Sequence, residues 1–165
     1  MRNTSLTGEI SRTQVIAALA RTGKFILVPL CDCLRYDLAF EEEGKLFRVQ
    51  SKTGHLTRGA VAFHPCSIDS RSQPGHCIRR PYTHDVEFFG VYCPENNKVY
   101  LVPVAEATNT GWVLRIDPPR NGQKTKIRWA RDFEIGEGVT EGTWVSETTA
   151  GRTTERHRST HSDLT

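Results

Sequence analysis

The strongest constraint on this chain is a pair of apolar runs folded about an acidic turn. Arg35-Tyr36-Asp37-Leu38 leads into the first run, Glu41-Glu42-Glu43-Gly44 makes the turn, and Arg48-Val49-Gln50-Ser51-Lys52 ends the second. The pattern predicts strands over 36–41 and 45–52, joined as a hairpin. Side chains alternate across a strand, so Gln50 and Lys52, two apart, project from the same face. The hairpin carries Asp37, at the opening of the first strand, toward them.

One carboxylate, one amide and one lysine then converge on a sheet end. A carboxylate is a natural ligand for a hard divalent cation. A lysine steadies charge building on a phosphate during hydrolysis. Each residue also has an ordinary reading: Asp37 as a strand-end acid at a turn, Lys52 as a solvated lysine. It is the combination, on one hairpin, that suits phosphodiester chemistry.

At these residues the chain resembles the PD-(D/E)XK nuclease superfamily, with Gln50 in the slot that usually holds Asp or Glu. Further strings occur in the order of one prokaryotic branch, which includes endonucleases associated with group I introns. They are Thr7-Gly8-Glu9-Ile10, Val28-Pro29-Leu30, Pro81-Tyr82, Val86-Glu87-Phe88-Phe89, Val91-Tyr92-Cys93-Pro94-Glu95 and Val99-Tyr100-Leu101-Val102-Pro103-Val104. Pro118-Pro119-Arg120-Asn121-Gly122-Gln123 and Ile127-Arg128-Trp129-Ala130 complete the series. The short Asp…Gln-x-Lys motif recurs by chance, and the ordered series is what gives it weight.

The resemblance implies an α/β fold with a restriction-endonuclease-like core, a mixed central sheet flanked by helices. It implies Asp37, Gln50, Lys52 and Glu9 as catalytic residues. Asp37, Glu9 and the backbone carbonyl of Ser51 would hold Mg²⁺, for which Mn²⁺ could substitute. Many relatives carry the helix acid four residues after the glycine, where this chain has Arg12. Others place it directly after the glycine, as Glu9 follows Gly8. Glutamate in a first helical turn is also favoured by the macrodipole alone.

The rest of the chain reads as follows. Leu6, Ile10, Ala17 and Ala20 suggest a helix over 6–22 stopped by Gly23. Phe25–Leu30 reads as a strand broken near an edge by Pro29, and Ala60–Phe63 as another. Residues 67–81 read as a long polar loop. Strands are expected at 88–92, 99–104 and 112–116, with a short helix starting at Val104. Residues 1–135 form the expected nuclease-like domain. Residues 136–165, rich in Gly, Thr, Ser, Glu and Arg, read as a disordered tail.

The net charge of +3 is too small to argue for a polyanion partner, but its distribution helps. Residues 136–165 hold five acids and three arginines, which leaves 19 bases against 14 acids before them. That excess suits double-stranded DNA. Arg58, Arg71, Arg79, Arg80, Lys124, Lys126 and Arg128 are the candidate phosphate contacts. No stretch approaches the roughly 20 apolar residues of a membrane span. Met1–Ser5 lacks the apolar core of a signal peptide, so a cytoplasmic, DNA-associated protein is expected. The five cysteines are expected to be reduced. Cys31-x-Cys33 lacks the spacing and the paired second knuckle of common zinc sites.

The resulting expectation is a Mg²⁺-dependent DNA endonuclease, of site-specific homing type. Cutting both strands of a duplex takes two active sites, which implies a homo-oligomer, a dimer or larger. A structure-selective junction resolvase or repair nuclease is the first alternative. A DNA-binding module that has lost catalysis is the second, because Arg12 and Gln50 both reduce the negative charge open to a metal.

Overall fold

The computed structural model describes residues 4–31, 33–69, 78–106, 111–118 and 125–136. Helix α1 (Thr4–Arg21) opens the chain and ends in a glycine cap. Gly23 sits at φ +80°, its N–H donates to Ala20 O at 3.0 Å, and Lys24 N–H donates to Leu19 O at 3.4 Å. This is the left-handed stop that glycine permits without a Cβ clash. The buried stripe of α1 is Ser11, Val15, Ala18 and Leu19. It is not the Leu6, Ile10, Ala17 and Ala20 series expected from the sequence, since Leu6 and Ile10 are exposed. A serine sits in the true stripe because its hydroxyl has two partners, Thr7 O at 3.0 Å and Thr53 Oγ1 at 2.6 Å.

Strands follow as β1 (Phe25–Leu27), β2 (Leu38–Glu42), β3 (Lys45–Thr53), β4 (His55–Thr57), β5 (Ala60–Phe63), β6 (Cys66–Asp69) and β7 (Ile78–Pro81). Then come β8 (Phe88–Cys93), β9 (Lys98–Pro103), β10 (Trp112–Arg115) and β11 (Glu134–Ile135). Short 3₁₀ turns occupy Val104–Glu106 and Ala130–Asp132. The main sheet runs β1-β2-β3-β8-β9-β11. The β3–β8 pair is parallel and the other four pairs are antiparallel, so the sheet is mixed. β2 and β3 form the expected hairpin, turning through Glu43 and Gly44 at positive φ. Two left-handed residues in succession make the turn whose twist matches the flanking strands.

Both faces of the main sheet are covered. On one, Val15, Ala18 and Leu19 of α1 pack with Leu38, Phe40, Val49, Val99 and Leu101. On the other, Phe89, Val91, Tyr100 and Val102 pack against Val61 and Phe63 of β5 and Trp112 and Leu114 of β10. The sheet therefore carries a helix on one side and the small sheet β10-β5-β4 on the other. β8 is the strand buried between the layers, and Gly90 at its middle lets α1 come close. A Cβ there would stand 2.5 Å from Val15 Cγ1.

The segment 67–81 is not simply a loop. Its two ends pair as antiparallel β6 and β7, Cys66 opposite Pro81 and Ser67 opposite Arg80. The connection, residues 70–77, lies outside the described residues, as do residues 137–165 and hence nearly all of the expected tail. Cys31 and Cys33 are joined as a disulfide, against the expectation of reduced thiols, and Cys66 and Cys93 are free and buried. No helix among the described residues is long and apolar enough to cross a membrane.

Candidate active site

The hairpin delivers the three expected side chains to one place. Asp37 directly precedes β2, and its N–H donates to Val49 O at 3.0 Å, extending the ladder by one rung. That leaves its side chain beside Gln50. Gln50 Nε2 donates to Asp37 Oδ2 at 2.6 Å, and the Ser51 backbone N–H donates to the same oxygen at 2.7 Å. On β3, Val49 faces α1, and Thr53 meets Ser11 there; Gln50 and Lys52 alternate to the opposite face. Ser51 Oγ is buried without a hydrogen-bond partner among the described residues.

Lys52 is half-buried. Its Nζ donates to Cys66 O at 3.4 Å and lies 4.6 Å from the centre of the Tyr82 ring. The Arg35 guanidinium stands 4.6 Å from the centre of the same ring. Arg35 also pairs with Asp85 at 3.0 Å and donates to Pro81 O at 3.0 Å. Arg35 and Tyr82 stand in the sequence strings, but no sequence signal gave them a role; their meeting is purely tertiary.

Electrostatically the site is strained in both directions. Burial pushes the Asp37 carboxyl above its ordinary value, although the bonds from Ser51 and Gln50 and the charges of Lys52 and Arg12 pull the other way. Burial likewise pushes the Lys52 ammonium down, with the Asp37 charge opposing it. A raised acid beside a lowered lysine in a half-open site is a common mark of functional groups.

Glu9 is not gathered with these residues. Its carboxylate pairs with Arg12 at 2.6 Å and is 60% exposed. Arg12, one helical turn on, is the α1 residue whose charge acts on Asp37. Among the described residues no three His, Cys, Asp or Glu side chains cluster as a metal site. What the site does offer is oxygen: the Asp37 carboxylate, the Ser51 carbonyl and the Gln50 amide. Those are the donors Mg²⁺ takes, and Mg²⁺ keeps several waters of its own. The donor type fits the ion, while the charge is that of one carboxylate.

The candidate DNA contacts scatter. Arg58 lies in the β4–β5 turn at φ +46°, and its carbonyl accepts from Arg115 at 3.2 Å. Arg80 is exposed on β7, and Arg79 sits beside it opposite Ile68. Lys126 is exposed. Arg128 lies 4.0 Å over the Trp112 ring and 3.9 Å from Glu106, so its contacts are not with the Asp37 group. Arg71 and Lys124 fall outside the described residues.

The comparisons with known proteins bear on this geometry. The fold is similar to that of a bacterial homing endonuclease, I-Ssp6803I, with a TM-score of 0.62 and 24% sequence identity. The match covers 80% of this chain and 88% of that one. At that identity the likeness establishes the restriction-endonuclease-like fold. No curated protein matches the sequence significantly. The family model described as PD-(D/E)XK endonuclease matches residues 2–136, which contain the hairpin, Asp37, Gln50 and Lys52. A match over so much of the chain, on a mixed sheet that sets an acid beside a Gln-x-Lys strand, places this protein in the PD-(D/E)XK endonuclease family.

Proposed function

We propose that this protein is a Mg²⁺-dependent DNA endonuclease that hydrolyses phosphodiester bonds in duplex DNA, of site-specific homing type. The observation that carries the reading is the Asp37 carboxylate held by Gln50 and Ser51, with Lys52 on the same strand face as Gln50. Asp37 and the Ser51 carbonyl would hold the cation, with Mn²⁺ able to substitute. When bound, the ion lowers the pKa of water and counters charge on the phosphate.

The chain's own groups have distinct tasks. The Ser51 N–H and the Gln50 amide fix the Asp37 carboxylate, so little reorganisation is left for the reaction. Gln50 turns its –NH₂ to Asp37. Lys52, with one long hydrogen bond among the described residues, is placed to turn its ammonium toward a phosphate oxygen. Glu9 joins the set only if its pair with Arg12 opens. Double-strand cleavage by such a site requires a homo-oligomer.

The test is incubation with a randomised duplex library, with and without Mg²⁺, alongside Lys52→Ala and Asp37→Ala. Metal-dependent cutting that both substitutions abolish supports the reading, with DNA affinity largely kept. Equal cutting by Asp37→Ala would sink it. The single carboxylate beside Arg12 favours a second reading, a DNA-binding module without catalysis. Binding across the library with no cutting in either metal would establish that reading instead.

A further inference from the structure

Lys52 is a flexible side chain whose ammonium has three hydrogens to place and a half-buried position that strips water from it. Among the described residues it has one 3.4 Å hydrogen bond, to Cys66 O, and the face of Tyr82 at 4.6 Å. The ring is therefore a principal restraint on where the charge sits. Tyr82 is itself well held. It is buried, and it meets Phe89 edge-on at 5.7 Å and 89°. Phe89 lies opposite Gln50 in the parallel β3–β8 pair, so the ring is built from beneath the candidate site.

The segment that carries Tyr82 is tied to the Asp37 loop by one residue. Arg35, two positions before Asp37, reaches Pro81 O, Asp85 and the Tyr82 ring together. Asp85 and Val86 N–H groups in turn close on Tyr82 O at 3.0 and 3.3 Å. Two cations on one ring would repel each other; Asp85 offsets the charge of Arg35, while the Asp37 charge acts on Lys52. A weakly bonded ammonium, oriented by a rigid aromatic face, can turn to an arriving phosphate without breaking a strong bond.

We propose that Tyr82 is a positioning residue for Lys52, its ring holding the ammonium in place for the scissile phosphate, with Arg35 fixing the ring against the Asp37 loop. The proposal rests on the nuclease reading for its consequence and on the contacts alone for its geometry.

Tyr82→Phe keeps the ring and loses the hydroxyl, which has Ser67 as its hydrogen-bonding partner. Tyr82→Met keeps apolar bulk and loses the π face. Both are compared with the parent for folding by thermal melting. Single-turnover cleavage is then measured in Mg²⁺ on a duplex recovered as cut from a randomised library, with DNA affinity measured in parallel. Tyr82→Met should slow cleavage by roughly tenfold to a hundredfold, as misplacement of a catalytic group does, while DNA affinity changes little. Tyr82→Phe should recover most of that rate.

Acetic anhydride labelling of lysines, read by mass spectrometry, supplies a readout that does not need activity. In Tyr82→Phe, Lys52 should label at the parent's rate relative to the exposed Lys45, and in Tyr82→Met that ratio should change severalfold. Equal losses in Phe and Met, or a Met variant that cleaves and labels like the parent, would overturn the proposal. A parent that cuts no DNA defeats the nuclease reading, and the labelling still decides whether the ring holds Lys52.

Discussion

Gln50 donates to Asp37 Oδ2 through its side-chain –NH₂ at 2.6 Å, so the amide neutralises none of the charge but gives the half-buried carboxylate a hydrogen bond. Gln50→Glu exchanges that donor for a second acid at the same spot. Two carboxylates in contact cannot both ionise cheaply, and one is driven toward its protonated form. The metal-free variant should lose about 1–3 kcal/mol of stability at neutral pH, the usual scale for a buried polar group that loses its partner. Mg²⁺ or Mn²⁺ should restore it, raising the melting temperature of the variant more than that of the parent. Thermal melts with and without metal decide this; equal metal shifts in both proteins would count against a cation at Asp37.

Arg12 acts on the same carboxylate by charge alone. A cation there opposes a divalent metal, so Arg12→Gln should tighten Mn²⁺ binding to the free protein, by roughly two- to fivefold for a screened unit charge. The substitution also releases Glu9, whose carboxylate is now held by Arg12 at 2.6 Å. The double variant Arg12→Gln, Glu9→Gln separates the two effects. Calorimetric tightening that survives in the double variant comes from removing the Arg12 charge. Tightening that disappears assigns Glu9 a place among the ligands.

The hairpin was legible from the sequence because its signals are local: apolar runs, an acidic turn and a glycine that accepts positive φ. Asp37, Gln50 and Lys52 lie on that hairpin, so their meeting followed from strand alternation and the turn, while Ser51 came only from the resemblance. Elsewhere the deciding contact is remote. Ser11 belongs to the buried stripe of α1 only because Thr53 is there to bond it, and a stripe sought by apolar residues alone falls on Leu6 and Ile10 instead. The ends of 67–81 read as loop since Ser67 and Arg80 look polar, yet they face each other as strands. Arg35 and Tyr82 were visible as letters, but 47 positions separate them and only the fold sets one over the other.

Glu87, directly before β8, accepts from the Arg48 backbone N–H at 2.7 Å and from its guanidinium at 2.6 and 3.2 Å. In return its own N–H donates to Arg48 O at 3.0 Å. This clamp starts the parallel β3–β8 pair and so sets the register that carries Gln50 and Lys52. Burial alone would raise the Glu87 carboxyl, but the Arg48 bonds and charge outweigh it and hold it below the ordinary 4.5. A depressed acid adds stability that is present above the unfolded value and lost as pH falls through the folded one. Glu87→Gln should therefore melt lower than the parent at neutral pH, with the gap closing as pH falls through the lowered Glu87 value and both forms become uncharged. A gap independent of pH would mean that the clamp works by shape rather than charge.

Gly90 is where α1 meets the central strand, and the approach leaves no room for a side chain. A Cβ would stand 2.5 Å from Val15 Cγ1, 3.1 Å from Val15 Cγ2 and 3.1 Å from Val49 Cγ1. Val15 and Val49 are both fully buried, so neither can swing aside cheaply. Gly90→Ala should cost about 1–3 kcal/mol through overpacking. The same push falls on Val49, next to Gln50, so cleavage by the variant should drop further than its lost stability explains. Val15→Ala alone should destabilise by leaving a gap under the helix. Combined with Gly90→Ala it should recover part of the loss, because the new methyl fills the space that the valine vacates. Denaturant melts of the two single variants and the double close the cycle. Strict additivity would show that α1 shifts as a rigid body rather than resting on this one contact.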